Sequence, residues 1–284
     1  MKKEETWDIV ITSKSNWFDL RINEVFNYSD LLFLFVKRDL ITFYKQTILG
    51  PLWFFLQPLI TTFVFSFVFS SVAQISTDGV PPIIFYMSGI IAWNYFSQCL
   101  NSTSTVFTSN VGLFSKVYFP RIIIPISKTI SSLTKFGVQL LLFLFIYVYF
   151  LLNGNTVLKP NINHLFILPI LVFQMAILGQ GIGMIISSLT IRYRDLQHLV
   201  SFGTQLLMYA SPIVYPLSSV PKEYQFYIKL NPMTPIINIF RQAFIGVGTI
   251  DFPLLYQSIF FSIFIFLVGL VLFNKFEKNF VDTA

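Results

Sequence analysis

The sequence predicts an all-α integral membrane protein. It has six transmembrane helices, an N-terminal amphipathic interface helix, and short re-entrant helices between spans five and six. Three observations predict it. The 284 residues are 55% hydrophobic and only 11% charged, with mean hydropathy +0.70, whereas an ordinary soluble domain carries about 25% charged residues. A soluble core of this length could not hide so much apolar surface, so lipid is its main solvent. Six runs are apolar and long enough to cross roughly 30 Å of hydrocarbon, and basic residues gather at alternate ends of them.

Residues 1–23 read as a polar leader with three aromatic anchors, Trp7, Trp17 and Phe18. Glu4, Glu5, Asp8 and Asp19 lie within it, so no signal peptide is visible. From Glu24 to Gln46 the pattern turns helical. Lys37, Arg38, Asp39, Thr42, Lys45 and Gln46 form one side, and Phe33, Val36, Leu40, Phe43 and Tyr44 the other. Such a helix lies in the membrane interface rather than crossing it. Gly50-Pro51 ends it. The chain then divides into a cytoplasmic leader and interface helix, 1–50, and a six-span membrane domain, 51–284.

The spans fall at about 52–73, 82–104, 130–152, 165–189, 198–217 and 252–273. The first 51 residues, the 105–121 and 190–197 loops and the tail from Asn274 hold 13 of the 19 Lys and Arg; the opposite loops hold four, Lys159, Lys222, Lys229 and Arg241. That asymmetry places both termini in the cytoplasm. It also accounts for the net charge of +6 without nucleic acid.

Two segments depart from a plain span. Arg121, Lys128 and Lys135 are seven residues apart and share one helix face. A helix from Arg121 to Leu152 would be about 48 Å long, so its first turns project beyond the hydrocarbon. The stripe reads either as snorkelling to lipid phosphate or as a basic track receiving an anionic head group. In 218–251, about fifteen largely apolar residues follow Pro232, too few to cross. Pro232 and Pro235 are start signals, and Gly246 and Gly248 stop signals. We expect a re-entrant pair of short helices; a surface-lying amphipathic helix is the other reading.

The chemistry is sparse. Neither H-E-x-x-H, paired cysteines, G-x-S-x-G nor a Walker A pattern occurs, and Cys99 is the single cysteine. His164 and His198 fall at span edges on opposite sides, so no metal site is expected. A membrane glycosyltransferase would need carboxylate pairs, but Asp39, Asp195 and Asp251 are isolated in sequence. Intramembrane Asp, Glu and His, which coupled carriers use, are missing from the span centres. The sequence therefore predicts no catalytic residues, and uphill movement would draw energy from another chain. Aromatic residues are abundant, 34 Phe, 13 Tyr and 4 Trp. Trp53, Phe54, Tyr86, Trp93 and Tyr95 are candidates for stacking on sugar rings, although Trp and Tyr also form ordinary interface belts. Gly179-x-x-x-Gly183 points to close helix packing.

One family shares the order of these features. The run "YKQTILGPLWFFLQPL", then "LFSKVYFPRIIIP", "IRYRDL" and "NPMTPIINIFRQAF" resembles the permease subunit of polysaccharide-exporting ABC transporters, which move O-antigen, capsule or wall teichoic acid. The resemblance spans about residues 24–275. Tyr44, Leu49, Gly50, Trp53 and Pro58, with Phe119–Arg121, carry it most specifically.

The resemblance implies a homodimer of this chain with two copies of a separate ATPase, in the bacterial inner membrane. No cofactor is bound directly; ATP and Mg²⁺ belong to the ATPase. The cargo is a lipid-linked polysaccharide on undecaprenyl diphosphate, O-antigen being our first expectation. It implies ATPase contacts at Ser109, Asn110, Leu113, Phe114, Arg192, Arg194, Asp195 and Leu196. An extracytoplasmic gate is implied at Pro232, Pro235, Phe240 and Phe244. Given that cargo, Arg38, Lys45, Lys116 and Arg121 are candidates to meet the diphosphate, because paired cations offset its charge as it leaves water.

Overall fold

A computed structural model describes residues 26–45, 49–114, 116–117, 119–154, 157–193, 195–248 and 251–283. The leader with its three aromatic anchors lies outside the described residues, as does Arg194. Among the described residues all regular structure is helical.

Helix α1 (Ser29–Lys45) turns Phe35 and Asp39 inward and leaves Phe33, Leu34 and Arg38 exposed. A short 3₁₀ turn, Gly50–Leu52, leads into α2 (Trp53–Phe65), which continues as a wider π-helical stretch to Val72. Helix α3 (Pro82–Ser104) follows an outer loop. Two four-residue helices, α4 (Val106–Ser109) and α5 (Val111–Phe114), then form a bracket before the 30-residue α6 (Ile123–Leu152). After α7 (Ile162–Leu165) come α8 (Leu168–Thr190) and α9 (Leu196–Tyr209). Helices α10 (Lys222–Leu230), α11 (Met233–Ile245) and α12 (Phe252–Thr283) complete the chain.

Among the described residues, four stretches are long and apolar enough to cross a membrane: Gly50–Val72, Ile123–Leu152, Leu168–Thr190 and Phe252–Phe276. The second expected span forms the 23-residue α3, whose Ser88, Asn94, Gln98 and Asn101 lower its apolarity. The fifth forms only the 14-residue α9 and then breaks at Ser211-Pro212. Starting at Ile123, α6 extends the expected third span by two turns, as its basic residues foretell.

Helices α6 and α8 pack on α3, which is buried for most of its length, and α12 packs on the other side of α8. Glycines set the spacing. A Cβ on Gly179 would sit 2.7 Å from the Phe96 carbonyl, and one on Gly183 would sit 2.6 Å from Thr103 Cβ. On the other flank of α8, a Cβ on Gly181 would meet Phe266 Cα of α12 at 2.7 Å. Alternate glycines thus let α3 and α12 approach α8 from both sides, as small residues do where helices pack in lipid.

The loops sort to two ends of this bundle. Helix α1, the α4–α5 bracket, residues 190–193 and the close of α12 gather at one, here termed the basic end. Residues 73–81, 157–167 and 210–248 gather at the other.

Candidate functional site

The basic end is organised around aromatic rings. Phe35 of α1 lies 5.7 Å from Phe119, Phe119 lies 5.9 Å from Phe114, and Phe114 lies 5.9 Å from Phe107. Phe107 stacks on Phe273 of α12 at 4.5 Å. Two guanidiniums cap this ladder, Arg38 at 4.8 Å from the Phe35 ring and Arg121 at 5.0 Å from Phe114. Each places positive charge over an electron-rich ring face. The "F-P-R" tripeptide therefore seats Phe119 and Arg121 in the joint between the bracket and α6.

The basic stripe of α6 faces protein. Lys128 Nζ is 2.8 Å from Asp39 Oδ2, Arg38 Nη2 is 2.9 Å from Asp39 Oδ1, and Lys135 Nζ lies 5.6 Å from the Phe54 ring. One nearly buried carboxylate on α1 is thereby held by two cations. Of the two readings of this stripe, the structure favours neither: it is the seam that fastens α1 and α2 to α6. The i, i+7 spacing gave the shared face, but the carboxylate that meets it lies 89 residues earlier.

The bracket is itself two-faced. Val106, Phe107 and Phe114 point inward, while Ser109, Val111 and Gly112 are exposed. Asn110 joins the short helices: its Nδ2 donates to the Val106 carbonyl at 2.9 Å, and its own carbonyl accepts from Leu113 N–H at 3.0 Å. The second loop presents Arg192, Tyr193 and Asp195 to the outside, with Arg192 5.7 Å from the Tyr193 ring. Gln197 Nε2 donates to Thr108 Oγ1 at 2.6 Å, which ties the two loops into one surface.

The expected contact residues Ser109, Asn110, Leu113, Arg192, Asp195 and Leu196 thus share one end of the molecule, although Asn110, Leu113 and Leu196 are half-buried. Phe114 is a correction as an outward contact: at 6% exposure it belongs to the ladder beneath. The expected head-group cations are not gathered into one pocket. Arg38 and Arg121 cap the ladder, Arg121 being 8% exposed, while Lys45 and Lys116 stand exposed.

The aromatic candidates divide. Trp53 is 48% exposed and Phe54 half-buried on α2. Tyr86, Trp93 and Tyr95 are 0–4% exposed and are corrected from path-lining to core residues. The reason is the central position of α3: Tyr86 packs on Phe65 and Phe85, Trp93 on Phe96, and Tyr95 on Phe136.

At the opposite end α11 is almost wholly buried, Pro235, Phe240 and Phe244 included, with Pro232 half-buried at its start. Phe240 and Phe244 meet Phe143 at 6.2 and 5.1 Å, and Phe244 meets Tyr147 at 6.2 Å. The helix stops at Gly246, where φ is +79°. Buried helix ends leave carbonyls that need donors; here Lys159 N–H serves Ile245 and Asn161 N–H serves Ala243, both at 3.1 Å. Helix α10, by contrast, buries none of its residues.

Arg241 escaped the sequence reading except as an outer cation. It is 4% exposed, and its terminal nitrogens donate to the carbonyls of Pro212 at 2.5 Å, Ile213 at 2.8 Å and Phe85 at 3.4 Å. It therefore closes the break after α9, where Pro212 leaves the chain unable to continue as helix. The available signal was an arginine inside the apolar run "NIFRQAF".

A helical bundle of this apolarity, with polar joints fastened at one end and a buried short helix at the other, defines a helical membrane protein. The ABC-2 type transporter family matches residues 30–245, most of the length, and the chain belongs to that family. Among its relatives is the O-antigen export system permease protein RfbA of Klebsiella pneumoniae, 28% identical over 89% of this chain and 94% of that one. RfbA of Myxococcus xanthus is 27% identical over 78% and 83%. The polysialic acid transport protein KpsM of Escherichia coli is 26% identical over 85% and 91%.

Proposed function

We propose that the chain is the transmembrane subunit of an ATP-driven exporter. It moves undecaprenyl-diphosphate-linked polysaccharide, O-antigen above others, from the cytoplasm to the outer face of the inner membrane. The observation that carries this reading is the near full-length likeness to permeases named for O-antigen export. In this reading two permease copies work with two copies of a separate ATPase, both termini are cytoplasmic, and all six expected segments serve the bilayer domain. The basic end is cytoplasmic, and α1 lies in the headgroups with Phe26, Phe33 and Leu34 toward lipid.

The exposed faces of the bracket and of Arg192–Asp195 receive the ATPase. Because Gln197 joins them, a displacement of one loop is felt by the other and by the ladder down to α12. That connection offers a mechanical route from nucleotide hydrolysis to the helices. Arg38, Lys45, Lys116 and Arg121 meet the carrier diphosphate on its approach; Lys45 and Lys116 are the pair free to do so without breaking the ladder. Helices α10 and α11 form the outer gate as a re-entrant pair, with α11 as the fixed half.

Capsule export is the second reading, favoured by the likeness to KpsM and to the Neisseria meningitidis capsule polysaccharide export inner-membrane protein CtrC. Reconstitution with a cognate ABC ATPase tests the proposal. ATP-dependent appearance of lipid-linked glycan on the far side of vesicles is the expected result. Transport at full rate without ATP would overturn it, and the cargo accepted separates O-antigen from capsule.

A further inference from the structure

A cavity of about 300 Å³ opens at the end opposite the basic end, lined by Arg241, Lys229, Gln225, Asn238, Asp78 and Ser218. Its rim is exposed at Asp78 and Ser218, and Arg241 is its most deeply buried charge. The guanidinium lies 3.7 Å from the Phe85 ring, and its Nε has no hydrogen-bond partner. Among the described residues no carboxylate pairs with it. A guanidinium stays charged at any physiological pH, and carbonyl dipoles compensate a buried charge only in part.

The nearby acids stand at the rim. Ser218 Oγ lies 2.9 and 3.0 Å from the two Asp78 oxygens and donates its one hydrogen to that carboxylate without neutralising it. Asp251 reaches Lys229 only at 4.0 Å, with both side chains more than a third exposed. Lys229 lines the same cavity as Arg241. A buried guanidinium with its Nε–H unpartnered, and an ammonium lining the same cavity, is a pairing that suits phosphate oxygens, and the volume sits at the small end of ligand pockets.

We propose that this cavity is an anion site for a phosphate ester presented at the outer face of the membrane, with Arg241 and Lys229 as its cations. Two sources share that chemistry: the headgroup of an anionic phospholipid, and the diphosphate of a polyprenyl carrier that has crossed. The outer placement rests on the topology proposed above, and the second source rests also on the export reading. In either case the site holds a phosphate beside α11, so that an occupied cavity braces this end of the bundle.

The test uses the full chain in non-ionic detergent, with inorganic diphosphate as the probe at constant ionic strength. Arg241 closes a backbone break, so the informative variant is Lys229→Gln, with Lys222→Gln on the same helix as the charge control. Diphosphate should raise the unfolding temperature saturably. Lys229→Gln should require at least about threefold more of it, while Lys222→Gln matches the parent and all three unfold alike without it. No saturable shift, or equal weakening by both variants, would overturn the site. Competition then assigns the source. Displacement of diphosphate by phosphatidylglycerol in nanodiscs points to a headgroup, and displacement by farnesyl diphosphate alone points to the carrier. Displacement by neither would also overturn the proposal. No ATPase is present in the assay, so its failure is distinguishable from failure of the export reading.

Discussion

The two ends of the bundle hold charge in opposite ways. At the basic end Asp39 is shared by Arg38 and Lys128, the remaining cations lie over rings or in solvent, and the polar loops stay outside. At the other end a single arginine is buried against three carbonyls, and α11 is sunk in the core beside it. A seam of ion pairs and stacked rings can be pulled without exposing a bare charge. A charge buried against backbone cannot, because every donor it withdraws strands a carbonyl. The basic end is therefore suited to be gripped and moved, and the opposite end to hold its shape.

Substitutions that break this contrast rank by how much each end can lose. Replacing Arg241 with Ala should cost the most, on the order of 2–6 kcal/mol, from about 1–3 kcal/mol for each of the two closely bonded carbonyls left stranded. Thermal unfolding in detergent measures it, and Arg241→Lys should recover only part because it lacks the fork. Gly183→Ala should follow at about 1–3 kcal/mol, since its methyl group overlaps Thr103 and the Leu100 carbonyl. Wild-type stability in that variant would mean α3 and α8 can slide apart freely.

Asp39→Asn should cost about 1 kcal/mol. Lys128 is a quarter exposed, which keeps the loss small despite the burial of Asp39. Proteolysis of α1 should nonetheless accelerate as the arm loosens from α6. Smallest in stability is the double reversal Arg192→Glu with Arg194→Glu, expected within about 0.5 kcal/mol of the parent because Arg192 is exposed. Its effect should appear instead as loss of ATPase retention and stimulation. A large fall in melting temperature would mean that the turn is structural rather than a contact.

The contrast also explains what the sequence made legible. Composition and run length located the helices, and α3 begins and ends where its apolar run does, at Pro82 and Ser104. The Arg192 turn was conspicuous as a charged break between apolar runs, whereas the bracket's contact residues came only from the family resemblance. The partners of buried charge could not. Lys128 meets Asp39 from another helix, and Arg241 meets Pro212 across 29 residues of sequence. Periodicity reports which face a residue shares, not what lies opposite it. The same limit applies to Tyr86, Trp93 and Tyr95, whose aromatic character looked like lining until the central place of α3 was known. The early end of α9 at Tyr209 was equally hidden, because hydropathy runs on past Pro212 while the backbone does not.

The central claim is that the basic end is where a separate ATPase drives this chain. Its most direct test is co-purification of the permease with a co-expressed cognate ABC ATPase, comparing the parent with the Arg192→Glu, Arg194→Glu variant under identical membrane extraction. The account predicts a stable complex that hydrolyses ATP and moves lipid-linked glycan only when ATP is supplied, with both properties lost in the folded variant. An undiminished complex and undiminished transport in that variant would contradict it.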